Sequence, residues 1–305
     1  MKGFLILWLS VCVVSCGAKK DELKNHSKVQ EKSTTETKKT DSSSAISALD
    51  WYDISNEEPK VIELSGDLTE ISGITFTNDN RLFAICDEDA DVFEIDYNSG
   101  SIIKRFSLGS MLVVKGDFED ITFANDKFYI IESKGKLYEF NEGANGSFID
   151  YKTYKTSLTS KYNVEGLCYD PETSSLLLAC KEFGGEGLGK DKAVYSFSLS
   201  NMTFDEKPRF VILQKEIKNN TSEGKFNPSG IARHPETGTF FIIAARGNTI
   251  VEISKDGTIL NQKDLPEKVH KQAEGIAFKT DGTLFISNEG RGKKPKIVIY
   301  EMTKP

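Results

Sequence analysis

The sequence predicts an all-β fold, a five-bladed β-propeller of four-stranded antiparallel blades. Three observations carry that prediction. A seven-residue motif occurs five times: EISGITF from Glu70, DFEDITF from Asp117, NVEGLCY from Asn163, NPSGIAR from Asn227 and QAEGIAF from Gln272. The copies recur at roughly the 40–50-residue period of a propeller blade, with one longer repeat. After each copy come short apolar or alternating runs divided by Asn, Asp, Gly and Pro turns, and no stretch reads as a long amphipathic helix.

The chain opens with Lys2 and an apolar run from Phe4 to Val14, too short to span a bilayer comfortably and of the kind found in signal peptides. It ends in Val13-Val14-Ser15-Cys16, which resembles the lipobox of bacterial lipoproteins. That resemblance implies cleavage after residue 15, lipidation of Cys16 and anchoring at the bacterial cell envelope, at the outer membrane; the alternative is an ordinary signal peptide with Cys16 unmodified. Residues 16–48 are rich in Lys, Glu, Ser and Thr and nearly lack large apolar side chains, so they read as a disordered tether. Residues 49–305 form the propeller. The tether is net positive within a chain of net charge −7, so the folded part is strongly acidic. That argues against nucleic acid as a partner and is compatible with cations.

Within each repeat the motif supplies the innermost strand. A turn follows, then an apolar second strand: LFAICDE from Leu82, FYIIESK from Phe128, LLLACKE from Leu176, FFIIAAR from Phe240 and LFISNEG from Leu284. The third strand alternates, as in VFEID from Val92 and IVEIS from Ile250, which marks one buried face. A fourth strand is present in four repeats, SIIKRFSL from Ser101, FIDYKTYK from Phe148, RFVILQKE from Arg209 and TILNQKDL from Thr258. The fifth repeat ends at Pro305 without one. KVIELSG from Lys60 has the right character to replace it, which would close the ring and remove its open edges. The long third repeat carries two insertions, GGEGLGKD from Gly184 and NNTSEGKF from Asn219, and keeps a sixth blade in play. Lys190 is followed by Asp191 rather than Ser or Thr, so the first insertion reads as a glycine hairpin and not a phosphate loop. Cys86, Cys168 and Cys180 lie in or at the ends of apolar runs and read as buried thiols, although an exported location permits a Cys168–Cys180 bridge.

Aligned in this way, the chain resembles the SdiA-regulated family of bacterial propellers, which are distantly similar to NHL-repeat proteins. The residues that carry the likeness are Glu274-Gly275-Ile276-Ala277-Phe278, the Asp281-Gly282-Thr283-Leu284 turn and Ile286-Ser287-Asn288-Glu289, with degenerate copies in the earlier repeats. The resemblance implies five blades and Ca²⁺ binding, without an established activity.

In a propeller the starts of the inner strands converge on one mouth of the central channel. The residue before the motif glycine is Ser72, Glu119, Glu165, Ser229 or Glu274, and two positions earlier stand Glu70, Asp117, Asn163, Asn227 and Gln272. Every one of these side chains bears oxygen, and carboxylates facing one axis repel unless a cation or protons neutralise them. Glu119, Glu165, Glu274, Asp117 and Glu70 are therefore the candidate ligands for Ca²⁺, a hard cation that takes oxygen donors. The competing reading is that these polar side chains cap turns or bond to the backbone of the next blade. Asp120 in place of glycine, and Ser72 and Ser229 in the carboxylate position, favour an off-axis site over a fivefold ring. A second set at the ends of the second strands includes Glu132, Glu182, Arg246 and Glu289, candidates for binding an unknown small molecule or protein at the mouth.

No Gly-x-Ser-x-Gly elbow or zinc-type His/Cys spacing is present, and outside the tether the histidines are His234, in a turn, and His270, in a polar segment. The reading is a monomeric, envelope-tethered, Ca²⁺-binding propeller that acts as a binding module. A metal-dependent hydrolase of esters, lactones or phosphoesters and a metal-free interaction scaffold are the alternatives.

Overall fold

The computed structural model describes residues 47–217 and 226–304. These residues form five sheets, one per motif copy, antiparallel but for one short parallel edge strand on the first. The inner strands are Ile71–Phe76, Phe118–Ala124, Val164–Asp170, Gly230–Arg233 and Ala273–Phe278. Each inner strand lies beside those of the two neighbouring blades, and the fifth returns to the first, so the ring is closed. Five separate apolar clusters fill the five gaps between adjacent blades. This is a five-bladed β-propeller, and the longer third repeat adds no sixth blade.

Closure comes from the N-terminal strand, as the sequence predicts. Lys60–Glu63 runs antiparallel to Lys296–Tyr300, with Lys60 opposite Ile299 and Ile62 opposite Ile297. The last blade thus joins three C-terminal strands to one N-terminal strand.

Three outer-strand assignments differ from expectation. Phe148–Ile149 does not belong to the second blade; it runs parallel to the outer strand of the first, opposite Ser107 and Leu108. The second blade is completed by Tyr151–Lys155 alone. In the third blade the outer edge is split between Thr203–Phe204 and Phe210–Ile212, both paired with Lys192–Ser198, and Gln214–Glu216 turns into a 3₁₀ helix instead of extending the strand. The second insertion of that blade lies largely outside the described residues, as do the signal segment, Cys16 and the tether through residue 46. Among the described residues no helix is long and apolar enough to cross a membrane.

Cys86, Cys168 and Cys180 are free thiols, the last two buried as expected. Both histidines outside the tether are fully buried, against the impression given by their polar surroundings in sequence. They anchor apolar packing. Residues 47–54 form a strap across the fourth and fifth blades, with Leu49, Tyr52 and Ile54 in the cluster between them. Tyr52 donates to Gly282 O at 2.6 Å, so His234 Nε2, 2.9 Å away, donates to the tyrosine oxygen, and His234 Nδ1 accepts from Thr237 N at 3.2 Å. Ser47 Oγ and Leu49 N both donate to Glu252, which pins the start of the strap. Burial holds the His234 imidazole down to about 4, consistent with this neutral tautomer.

Candidate functional site

The motif has a structural reason. Pairing between the first and second strands slips at Ile71/Ile74, Phe118/Asp120, Val164/Gly166 and Ala273/Ile276. Ser72, Glu119, Glu165 and Glu274 therefore sit in β-bulges, which re-aim a side chain that regular pleating would place elsewhere. The next motif position faces the following blade. A side chain at Gly230 would lie 2.6 Å from Glu274 O, and one at Gly275 would lie 3.0 Å from Ile74 N. Glycine there allows adjacent inner strands to approach. Asp120 solves the same problem differently: Oδ1 accepts from Ile121 N at 2.8 Å and Oδ2 from Leu167 N of the third blade at 2.7 Å. Its substitution for glycine is a staple between blades.

The three motif glutamates share one electrostatic environment. Glu165 and Glu274 are 5% and 9% exposed, and Glu119 is half-buried. Burial raises the Glu119 carboxyl far above its ordinary range, and Glu165, Asp117 and Glu274 push it the same way. Burial also raises Glu165, with Asp117 adding to the effect. Glu274 is pushed up to about 8 by burial and then by Glu165 and Glu289. Glu289 is raised by burial, and Asp87 and Glu70 add to it against the nearby Arg291. The candidate residues Glu119, Glu165, Glu274, Asp117, Glu70 and Glu289 thus form one continuous acidic rim.

Sequence reasoning missed the cation inside that rim. Lys181 Nζ lies 2.6 Å from Glu165 Oε1. Burial disfavours its charge, yet Glu165, Glu274 and Glu119 outweigh that and hold its pKa up. Asn163 Nδ2 donates to the same Glu165 oxygen at 2.6 Å. Lys181 follows Cys180 at the end of a second strand, the position class from which Glu182 was selected; strand alternation separates the two.

The remaining candidates divide. Glu132 is buried, accepts from Tyr138 and pairs with Lys134 at 2.5 Å. Glu182 is exposed and accepts from Asn227 Nδ2 at 3.2 Å. Arg246 is exposed and forms no ion pair with any described residue. Ser229 matches the turn-capping reading: its hydroxyl donates to Ala273 O of the next blade at 2.7 Å.

The donor set, all oxygen and mutually repelling, has the chemistry of a Ca²⁺ site. Among the described residues, however, no three acidic, His or Cys side chains gather closely enough to enclose a metal ion.

The SdiA-regulated family profile matches residues 48–290, most of the propeller. The chain belongs to the SdiA-regulated family. No curated protein matches it in sequence. Among solved structures, this SdiA-regulated propeller is similar to a PQQ-bound aldose sugar dehydrogenase from Streptomyces coelicolor. The two are 13% identical with a TM-score of 0.53, over 81% of this chain and 99% of the other. It is also similar to the Myxococcus xanthus glutaminyl cyclase, at 12% identity and a TM-score of 0.52, over 80% of this chain and 94% of the other. At such identity these likenesses speak for the propeller fold alone.

Proposed function

We propose that the protein is an envelope-tethered binding propeller whose acidic rim takes up Ca²⁺ and, with it, a ligand at the channel mouth. The observation that carries the reading is the set of three glutamates, buried Glu165 and Glu274 and half-buried Glu119, all raised by burial and by neighbouring carboxylates, with Lys181 to balance them. A divalent cation would supply the missing positive charge and bring its own open coordination positions to an oxygen-bearing ligand. Lys181 would then act as the resident counter-ion, displaced from Glu165 when the ion binds.

The test is thermal melting with Ca²⁺ or chelator. Millimolar Ca²⁺ should raise the wild-type melting temperature by mass action. Glu165→Gln should shrink that shift and leave the metal-free domain no less stable than wild type, because it removes one repelling charge. A flat wild-type response rejects the metal. The tether reading rests on the Val13–Cys16 pattern; equal fatty-acid labelling of wild type and Cys16→Ala would reject the anchor.

One observation favours a second reading, hydrolysis of esters, lactones or phosphoesters at the same mouth. Glu274, held up to about 8, keeps its proton near neutrality and can serve as a general acid. Turnover of an aryl-ester, lactone and phosphoester panel that is lost in Glu274→Gln would support it, and a silent panel would reject it.

A further inference from the structure

Beside the acidic rim, the fifth blade carries a cleft of opposite sign. It has a volume of about 550 Å³ and its wall carries five lysines, Lys268, Lys271, Lys293, Lys294 and Lys296, against two carboxylates, Glu63 and Glu289. Two of the five lysines are already neutralised: Lys268 pairs with Glu57 at 2.8 Å and Lys294 with Glu63 at 3.0 Å. Lys271, Lys293 and Lys296 have no carboxylate partner among the described residues, and Glu289, in the same wall, pairs at 3.9 Å with Arg291 instead. Crowding three uncompensated ammonium groups costs free energy, as the Lys296 pKa records: it is lowered by burial and then by Lys271 and Lys293.

The inner wall offers a second, independent mark. Asn288 lines the cleft and is fully buried, yet its side-chain oxygen has no hydrogen-bond partner. Its other end meets His270 Nδ1 at 3.2 Å, and His270 Nε2 meets Tyr300 Oη at 2.8 Å. The two ends of an amide are distinguished only by their partners. The nitrogen end also donates to Ile286 O at 3.4 Å, which fixes the orientation and leaves the oxygen as the end without a partner. A buried polar group without a partner costs about 1–3 kcal/mol unless a ligand satisfies it.

We propose that this cleft binds a phosphate group, neutralised by Lys271, Lys293 and Lys296 and hydrogen-bonded by Asn288. Phosphate fits better than carboxylate. A phosphomonoester carries up to two negative charges and three terminal oxygens, enough to meet three ammonium groups, and its protonated form can still donate to an amide oxygen. The cleft is large enough to hold the body of a small phosphorylated molecule as well. The group could belong to a soluble phosphomonoester or to a phosphatidate headgroup.

The test uses the full chain carrying Cys16→Ser, so that no lipid contributes. Inorganic phosphate is titrated calorimetrically at physiological chloride, and sedimentation is measured with phosphatidylcholine vesicles with and without phosphatidate. The Lys271→Gln/Lys293→Gln double variant changes only exposed side chains, so its fold should persist. It should weaken binding at least tenfold, whereas Lys190→Gln, in the third-blade hairpin, should not. Phosphate heat without vesicle binding assigns a soluble ligand; phosphatidate-dependent sedimentation lost in the double variant assigns a headgroup. Silence in both arms, or equal loss in the double variant and Lys190→Gln, overturns the proposal. Because the rim glutamates are untouched, failure here leaves the Ca²⁺ response of the mouth unchanged.

Discussion

Lys181 shows how a single side chain can set the titration of a whole rim. It is the lysine that faces Glu119, Glu165 and Glu274 together, and its removal should leave their repulsion unrelieved. Lys181→Met is expected to lower the metal-free melting temperature and to enlarge the Ca²⁺ shift, since the ion then takes over the neutralising role. For a domain of this size about 1 kcal/mol corresponds to roughly 2–4 °C. An unchanged Ca²⁺ shift would mean that Lys181 and the metal do not share a place. The pH response has a definite sign. A carboxyl whose pKa is raised in the folded state binds more protons folded than unfolded, so stability falls as pH rises toward the folded value. For Glu274 that window runs from 4.5 to about 8. His234 and His270, both held down to about 4 by burial, act oppositely and only below about 6.5, the ordinary histidine value. Between pH 6.5 and 8 the carboxylates therefore dominate. The metal-free melting temperature should fall across that range, Glu274→Gln should flatten the fall, and Ca²⁺ should flatten it in wild type; a level wild-type profile would contradict the assigned shift. The sequence made Glu119, Glu165 and Glu274 legible because motif register alone brings them to one end of the ring. It hid Lys181 and Asp120, whose roles depend on which blade stands next.

At the level of elements, five inner, second and third strands could be read from periodicity, because their apolar faces repeat with the blade. Outer strands were legible in the first, fourth and fifth blades, as Ser101–Leu108, Ile259–Asp264 and Lys60–Glu63, but not in the second and third. They are half-exposed, as in the alternating Ser101–Leu108, and their pairing is decided by loops that can reach the neighbouring sheet, as Phe148–Ile149 does. The glycine at three of the four bulges was visible, since glycine within a strand pattern signals a bulge or a close backbone approach, but the slip in pairing that re-aims each carboxylate was not. The strap was also missed: Leu49, Tyr52 and Ile54 are too few to give a period. Removing residues 1–46 should leave the melting temperature unchanged, whereas removal through Gly66 strips both the strap and the closing strand and bares the Lys296–Tyr300 edge. Aggregation of the longer deletion is expected. A well-behaved monomer melting like the shorter one would show that the ring does not need this strand.

Among the described residues, charge is arranged by place: a carboxylate rim at the inner strands, with a lysine-rich cleft on the fifth blade. The connectivity of that blade bears on how the protein assembles. The four-stranded cores of four blades are built from neighbouring segments of chain, so their hairpins can form as soon as each is available. Lys60–Glu63 must wait for Lys296–Tyr300, about three-quarters of the chain length away. Long-range pairing carries the loop-closure entropy that slows folding, so sealing of the ring belongs after the main barrier. Ile62, buried in the seal, then becomes a kinetic reporter. Ile62→Ala should accelerate unfolding while leaving the refolding rate nearly untouched, and a matching slowdown of refolding would place the seal in the nucleus instead. A contact made after the barrier is the first released, so the residence time of the folded ring would be set at the seam between its first and last strands.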